Sequence, residues 1–570
     1  MTTNRYLRRS LIGAVAGAVA SLALLPTLGH ASWAMVLGIL LGAGYGVAAT
    51  AETGTYMDAL MTMAALGVPL WGLISVIGFP MVAGQRPDWT AEGMRAHFAA
   101  LVGWLLYGGV LGVTQRALRA LAQKRFGPES ELAPVASVEK KRILILGGGF
   151  AGMKTAECLE QELRANPDVS ITLVSETNAL LFTPMLAEVA GSSLEPSHIS
   201  TPLRTSLHRT EFLRGRVSGI DLGRRVVRLD GAGSNIGDGG ERERELAYDH
   251  LVLALGSVSN YFGMGNVEKL AFNFKSLLDA IRIRNHVIEM FERADREEDA
   301  GLRRKYLTFV IAGGGFAGVE LAGALNDFAR GILADYPKLQ RQDLQVVLVH
   351  PRDCILPELS ESLGRYAQKK MEERGVIFRM NTRLKDVMPG AVLLNDGTIA
   401  AETLVWTAGT APSPIVKSLA VEKDKRGAVK VDETLRVAGT TRVWGLGDCA
   451  AVVDGKSGKP CPPTAQFALR EAQQLAKNIA AELEGRNPRA FHFDSLGALC
   501  VIGHQTACAE LTLPFARNKA MRISGLFAWL IWRGIYLSKL PGVERKVRVL
   551  VDWTIELFFP RDIVQTIDLR

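Results

Sequence analysis

Two regimes of hydrophobic patterning divide the chain. Between Leu11 and Gly84 there is no Lys or Arg, and the only acids are Glu52 and Asp58. A helix that crosses a membrane needs about 20 apolar residues. Four stretches read as such spans: 11–29, 32–50, 57–84 (with Pro69 and Pro80 inside it) and 97–114. Arg5, Arg8 and Arg9 precede the set, and Arg116, Arg119, Lys124 and Arg125 follow it. Cations mark the cytoplasmic side, so an even number of spans with both ends in the cytoplasm is expected. Arg86 and Arg95, beside Asp88 and Glu92, weaken that bias. A cleaved signal (Arg8-Arg9-Ser10-Leu11 with Gly29-His30-Ala31) is the poorer reading, because further apolar runs follow at once.

Residues 126–140 read as a polar linker. Beyond them, short β-branched runs alternate with amphipathic helices, the signature of βαβ units and a parallel sheet. The phrase Gly-Gly-Gly-Phe-Ala-Gly stands at 147–152 and again at 313–318. That duplication is too long for a solenoid repeat and fits two nucleotide-binding domains. Residues 230–245 read as a solvated insertion.

Composition agrees with a chain in two parts. Charged residues are an ordinary 22% and hydrophobic residues 48% of the 570 positions, yet mean hydropathy is +0.14. General disorder is excluded, and so are collagen-like classes. The net charge of +8 is spread out; it suits an anionic membrane or a phosphate-bearing ligand and does not indicate nucleic acid. Cys158, Cys354, Cys449, Cys461, Cys500 and Cys508 have no CxxC or zinc-ligand spacing. They read as reduced thiols, with no disulfide framework and no metal site.

The first glycine phrase follows an apolar strand at 142–146. Gly147 makes the tight turn, Gly149 lets backbone approach a pyrophosphate, and Gly152 packs helix on strand, with Phe150 and Ala151 opening the helix. The helix N-terminus offers N–H groups to phosphate. The next strand ends at Ser175-Glu176, where a carboxylate can accept from ribose hydroxyls. Glu176 lies near the expected spacing of about 20 residues, with Ser175 at the acid position if the register is one residue off. The second copy, Gly313, Gly315, Phe316 and Gly318, leads to a strand that ends in His350-Pro351-Arg352. An acid there would bind the 2′-hydroxyl of NAD and repel the 2′-phosphate of NADP. His350 and Arg352 repel neither, so nicotinamide preference stays open.

A strand at 441–446 runs into Gly447-Asp448, and segments 251–256 and 404–410, carrying Gly256 and Gly409, look like interdomain crossovers. With these pieces the chain resembles the two-dinucleotide-binding flavoprotein reductases, in which the corresponding Asp binds the ribityl chain of FAD. LLFTPMLAEVAGSSLEP (180–196), FKSLLDAIRIRNHVI (274–288), PPTAQFALREAQQLAKNI (462–479) and AWLIWRGIYLSKLPGVERK (528–546) narrow the likeness. They resemble the type II NADH:quinone oxidoreductases across nearly all of 141–570, a family that does not usually carry the four N-terminal spans.

The fold expected is α/β, with two Rossmann-like domains for FAD and NAD(P)H. A bundle of about four transmembrane helices precedes them and amphipathic membrane-binding helices follow. The boundaries are 1–125 (transmembrane), 126–140 (linker), 141–273 and 411–485 (FAD domain), 274–410 (NAD(P)H domain) and 486–570 (membrane association). The resemblance implies hydride transfer from NADH, with NADPH open, to FAD, then reduction of a membrane quinone without proton pumping. The four apolar runs and their flanking cations add the expectation of a multi-pass protein of the cell inner membrane with its flavin domain on the cytoplasmic side, in contact with the lipid bilayer; a homodimer stays open. The resemblance puts Glu320 near the nicotinamide–flavin contact, the bland alternative being an acid stabilised by a helix N-terminus. In the quinone region Ala465 and Gln466 match the family pattern, while Arg470 replaces its later glutamine. Arg470 either stabilises a reduced quinone oxygen or is pinned by an acid such as Glu471. Helix 525–540 reads as interfacial, with Trp529, Trp532 and Tyr536, with Arg533 too central for a span, and with Arg545, Lys546 and Arg548 near head groups. Two rivals remain: a sulfide:quinone-reductase-like enzyme using Cys449 and Cys461, and a membrane-anchored flavoprotein redox sensor or scaffold. Thiol–disulfide reductases need a cysteine pair after the first glycine turn, where only Cys158 stands.

Overall fold

The computed structural model describes residues 2–25, 31–48, 56–82, 84, 98–126, 140–230, 244–512 and 520–565. It divides into two compact units, Met1–Pro134 and Val135–Arg570. Most of the expected linker and of the 230–245 insertion, Arg86, Asp88, Glu92 and Arg95, and Gly29 and His30 lie outside the described residues.

In the N-terminal unit the four apolar runs are helical: α1 (Thr2–Ala20), α2 (Ala31–Ala48), α3 (Tyr56–Leu70) and α4 (Phe98–Phe126). Helices α1 and α2 pair, as do α3 and α4. A Cβ on Gly17 would stand 2.1 Å from the Gly38 carbonyl oxygen, so only glycine permits that approach. Trp104 and Tyr107 fill the centre, and each has its polar atom satisfied, Trp104 Nε1 donating to Ser75 Oγ (2.9 Å) and Tyr107 OH to the Gly38 carbonyl (2.9 Å). Leu11, Leu22, Trp33, Leu40 and Met57 face outward.

The expectation of four spans is met only in part: the helices form, but among the described residues none is long and apolar enough to cross a membrane. The regular hydrogen-bond ladder is interrupted. The first run tightens to a 3-10 turn at Ser21–Leu24. The third loosens to π-helix at Trp71–Gly78, just ahead of Pro80, which has no N–H to donate to the carbonyl four residues back. Helix α4 carries on into the charged stretch 115–126.

The larger unit is built on two five-stranded parallel sheets. The first has the order β9-β4-β1-β2-β3, with β1 (Lys141–Leu146), β2 (Val169–Ser175), β3 (Thr210–Arg214), β4 (His250–Leu253) and β9 (Val443–Gly445). Its central strands are nearly uninterrupted apolar runs, as a sheet covered on both faces requires. Helices α5 (Phe150–Glu162) and α8 (Ala465–Leu483) pack on each other and on this sheet. In the second sheet the short strand Phe272–Asn273 is followed in order by β8 (Thr403–Trp406), β5 (Thr308–Ala312), β6 (Gln345–Val349) and β7 (Val376–Arg379). It carries α6 (Leu277–Arg296) and α7 (Phe316–Ile332). Ser276 and Asp279 start α6 with a reciprocal capping box. Ser257–Ser259 and Thr410–Pro412 pair antiparallel where the chain crosses between the sheets.

The C-terminal region holds more than helices. An antiparallel sheet, β10 (Gly497–Gly503), β11 (Thr506–Thr512) and β12 (Ala520–Gly525), precedes α9 (Leu526–Lys539) and α10 (Val543–Glu556). One face of these helices joins the core around α6 and α7 through Trp532, Leu540, Val549 and Trp553. The other leaves Phe527, Leu530, Val551, Phe558 and Phe559 exposed. Arg545, Lys546 and Arg548, expected at head groups, bond within the protein: to the Ser197 carbonyl, the Ser538 carbonyl and Glu544.

Candidate active site

Both glycine loops have the same build. Gly147 and Gly313 take positive φ (109° and 123°) and donate their N–H groups to Val174 and Val349, each on the strand next to the one that leads into its loop. Gly149 and Gly315 are the N-caps of α5 and α7. Nothing lies within 4 Å of where a Cβ on Gly149 would be, so a phosphate can reach the N–H groups at the start of α5. At the strand ends the register is the shifted one. Ser175 is buried under Gly148, whose added Cβ would lie 2.7 Å from Ser175 Oγ, just as one on Gly314 would lie 2.7 Å from the His350 ring. Glu176, one residue on, is exposed and 3.7 Å from Arg216. The sequence spacing alone did not resolve these two positions.

Opposite the first loop, Gly447 (φ +67°) sits against Ala151 and donates its N–H to the buried carboxylate of Glu471 at 2.7 Å. Burial pushes Glu471 up to about 7. Its partner is therefore Gly447 and not Arg470, which donates to Gln473 (3.2 Å) and lies over the Phe493 ring. Asp448 accepts from Ser257 Oγ at 2.6 Å, and Lys275 Nζ donates to the same hydroxyl (2.6 Å) and to the Ser257 carbonyl (2.9 Å). Burial lowers the Lys275 pKa, opposed by Asp448. Lys275 and Ser257 escaped the sequence reading because the carboxylate they steady is 191 residues beyond Ser257. Gly256 (φ +63°) and Gly409 lie on the crossover, their carbonyls accepting from the N–H groups of Ser413 and Asn260. These residues fit an FAD: an open helix N-terminus for its pyrophosphate, and an anchored carboxylate at Asp448.

Strand β10 links the remaining candidates. Gln466, in the first turn of α8 after Ala465, donates to the Gly497 carbonyl at 3.5 Å and accepts from Ser495 at 3.1 Å. Glu320, in the first turns of α7 with Phe316, accepts from the Val501 N–H at 3.3 Å. Their partners are four residues apart on one strand, about 13 Å. Glu320 lines a narrow cleft with Glu188, Trp529, Trp532, Arg533 and Glu556. Burial raises Glu320 to about 8 and Glu188 to about 7, so the helix-terminus reading of Glu320 omits its main determinant.

Linkage gives that shift a test. Between the ordinary glutamate value and about 8, the folded protein keeps a proton on Glu320 that the unfolded chain releases. Stability from this group therefore falls as pH rises through that window. We expect Tm to drop less from about pH 6 to about pH 9 in Glu320→Gln than in the parent. Equal drops in differential scanning fluorimetry would contradict the burial argument.

Cys449 is fully buried, donates to the Leu253 carbonyl and is pushed up to about 12, as is Cys461. Neither is a ready thiolate, which counts against sulfur relay. Among the described residues no cluster of three or more His, Cys, Asp or Glu side chains is arranged to hold a metal.

The pyridine nucleotide-disulphide oxidoreductase family profile matches residues 141–472, and the NDH2 C-terminal domain profile matches 496–562. A probable NADH dehydrogenase of Dictyostelium discoideum is 32% identical over 436 residues, 75% of this chain and 91% of that one. The type II NADH:quinone oxidoreductase Ndh of Mycobacterium tuberculosis is 30% identical over 438 residues, 74% of this chain and 89% of that one. The structure of NDH2 from Plasmodium falciparum in complex with NADH superposes with a TM-score of 0.67 at 18% identity, covering 75% of this chain and all of that one.

Proposed function

Since the chain belongs to the type II NADH:quinone oxidoreductases, we propose that Glu320 and strand β10 form the junction between its two half-reactions. The enzyme is an FAD-dependent NADH:quinone oxidoreductase. The sum is NADH + H⁺ + quinone → NAD⁺ + quinol, and bound FAD supplies the two-electron carrier between the partners. Gly147, Gly149, Phe150, Ala151 and Gly152 hold the FAD pyrophosphate at the N-terminus of α5. Glu176 reaches the adenosine ribose beside Ser175, and Gly447 with Asp448 holds the ribityl chain, steadied by Ser257 and Lys275. Gly313, Gly315, Phe316 and Gly318 cradle the nicotinamide nucleotide, with His350 beneath the loop; Gly256 and Gly409 let the crossover strands pass close by.

The observation that carries the reading is the Glu320 carboxyl of α7 seated against β10, where it accepts from the Val501 N–H. Kept neutral by burial, it orients the nicotinamide or passes a proton towards the quinone. Gln466 and Arg470, on α8, are assigned to the quinone oxygens, Arg470 through charge-assisted hydrogen bonding. We assign the apolar exterior of the N-terminal unit and the Phe527, Leu530, Phe558 and Phe559 face to lipid, at the cytoplasmic side of the cell inner membrane. Both ends of the apolar set are flanked by cations, which supports a multi-pass arrangement.

Rapid mixing tests the reading. NADH should bleach the flavin band, and added quinone should restore it. We expect Glu320→Gln to slow the restoring phase by about tenfold or more while the flavin stays bound, the range for one proton-transfer group. No quinone-dependent return of the flavin band in the parent enzyme would refute the function. An unchanged rate in the variant would remove Glu320 from it.

A further inference from the structure

Among the described residues three large apolar side chains sit on left-handed backbone: Phe262 (φ +50°), Leu356 and Leu435. A bulky residue there is strained and persists only where its surroundings hold it. Leu356 and Leu435 are buried, so packing accounts for them, whereas Phe262 is 64% exposed. Its turn is nevertheless firmly tied. The Phe262 N–H donates to Asn260 Oδ1, the Asn260 N–H to the Gly409 carbonyl and Trp406 Nε1 to the Asn260 carbonyl, each at 3.0 Å. The ring meets Trp406 edge to face (centroids 6.3 Å apart) and lies against Gly409, where an added Cβ would stand 2.7 Å from Phe262 Cζ. Gly409 is therefore glycine to admit this ring.

The strand order shows what the ring faces. The second glycine loop leaves β5, with β6 on one side and β8 on the other. The end of β6, at His350, is the adenosine side. The rest of a dinucleotide therefore crosses the loop towards the end of β8. Thr407, the first residue past β8, holds that loop, its Oγ1 donating to the Ala312 and Gly313 carbonyls at 2.9 and 3.3 Å. Gly409 comes two residues later. From Thr410 to Pro412 the chain then pairs with Ser259 back to Ser257, which donates to Asp448 at the flavin end. Phe262, on Gly409, thus stands between the loop that takes the pyrophosphate and the crossover that leads to the flavin. A nicotinamide ring has two faces: one lies on the flavin for hydride transfer, and the other is left for the protein to cover. A planar apolar side chain suits that face.

We propose that Phe262 binds the nicotinamide half of the dinucleotide by packing its ring on it, and that the left-handed turn is kept to present that ring. This rests on the NADH-oxidising reading of the same site. Asn260, which acts through the turn, is a positioning residue.

The FAD-loaded full chain provides the test. In rapid mixing, Phe262→Leu should need about tenfold more NADH for half-maximal flavin bleaching, the loss of one stacking contact. Reduced nicotinamide mononucleotide should show the same shift, while 5′-AMP should compete with NADH equally well in parent and variant. Phe262→Tyr, which keeps the ring, should behave as the parent. Phe262→Gly should lose affinity as Phe262→Leu does without a fall in Tm, because glycine takes positive φ freely. An unshifted NADH requirement in the leucine and glycine variants would overturn the proposal, as would a shift seen with 5′-AMP and not with the mononucleotide. If NADH failed to bleach the parent flavin, the functional reading would fall. Calorimetric titration of NAD⁺ into the parent and Phe262→Leu would then decide the role of the ring, equal affinities overturning it.

Discussion

Arg533→Met is expected to destabilise the larger unit by about 1–3 kcal/mol, the penalty for leaving buried carboxyl oxygens short of a donor while Arg561 still holds Glu556. Arg533 is 12% exposed and pairs with Glu556 at 2.9 Å and, more distantly, with Glu188 at 4.0 Å. Its guanidinium lies between the rings of Trp529 and Trp553, 3.9 and 4.5 Å from their centroids. Trp553 Nε1 also donates to Glu188, and Arg561 holds the other oxygen of Glu556. This network ties α9 and α10 to the Leu186–Ala190 helix, so its loss should free the C-terminal helices first. Methionine keeps the packing volume and removes only the charge. Urea unfolding should therefore show a lower midpoint, and adding Glu188→Gln should recover part of the loss by removing one stranded carboxylate. An unchanged midpoint in Arg533→Met would mean that solvent already screens the pair.

The second large effect separates the two nucleotide sites. A Cβ on Gly152 would stand 1.8 Å from the Gly147 carbonyl oxygen, and one on Gly318 would stand 1.9 Å from that of Gly313. No side-chain rotation relieves a clash with backbone, so each loop must open. We expect Gly152→Ala to lose FAD on purification, a fall in affinity of at least about tenfold. Gly318→Ala should keep its FAD but need at least about tenfold more NADH for half-maximal bleaching. Flavin absorbance and circular dichroism of both variants check this. Loss of FAD in both, with native circular dichroism, would show that the loops do not act independently.

Both predictions draw on what was legible in the sequence to different degrees. The glycine loops, the strands that feed them and the Gly447-Asp448 turn were readable because each is a local pattern. A tight turn, a helix start and an apolar strand depend on neighbours a few residues away. The role of Arg533 was not readable. Sequence marked it only as a charge too central for a span, whereas Glu188 lies more than 300 positions earlier. Lys275 was passed over for a related reason: it bonds Ser257, whose own partner Asp448 is far down the chain. The apolar N-terminal runs were read correctly as helices, but helical continuity depends on the backbone ladder at Ser21 and Trp71, which average hydropathy does not report.

By itself, then, the sequence determined the order of elements, the duplication of the dinucleotide loop and the chemistry available at each strand end. Short-range sterics and hydrophobic period are written in consecutive residues. Tertiary structure alone decided that Ser175 and not Glu176 lies under the first loop, that His350 Nδ1 accepts from the Gly314 N–H, and that Glu471 serves Gly447 and not Arg470. It also decided that Glu320 meets Val501, 181 residues later. A carboxyl's protonation follows from how much water its neighbours exclude, and those neighbours come together only when distant segments pack.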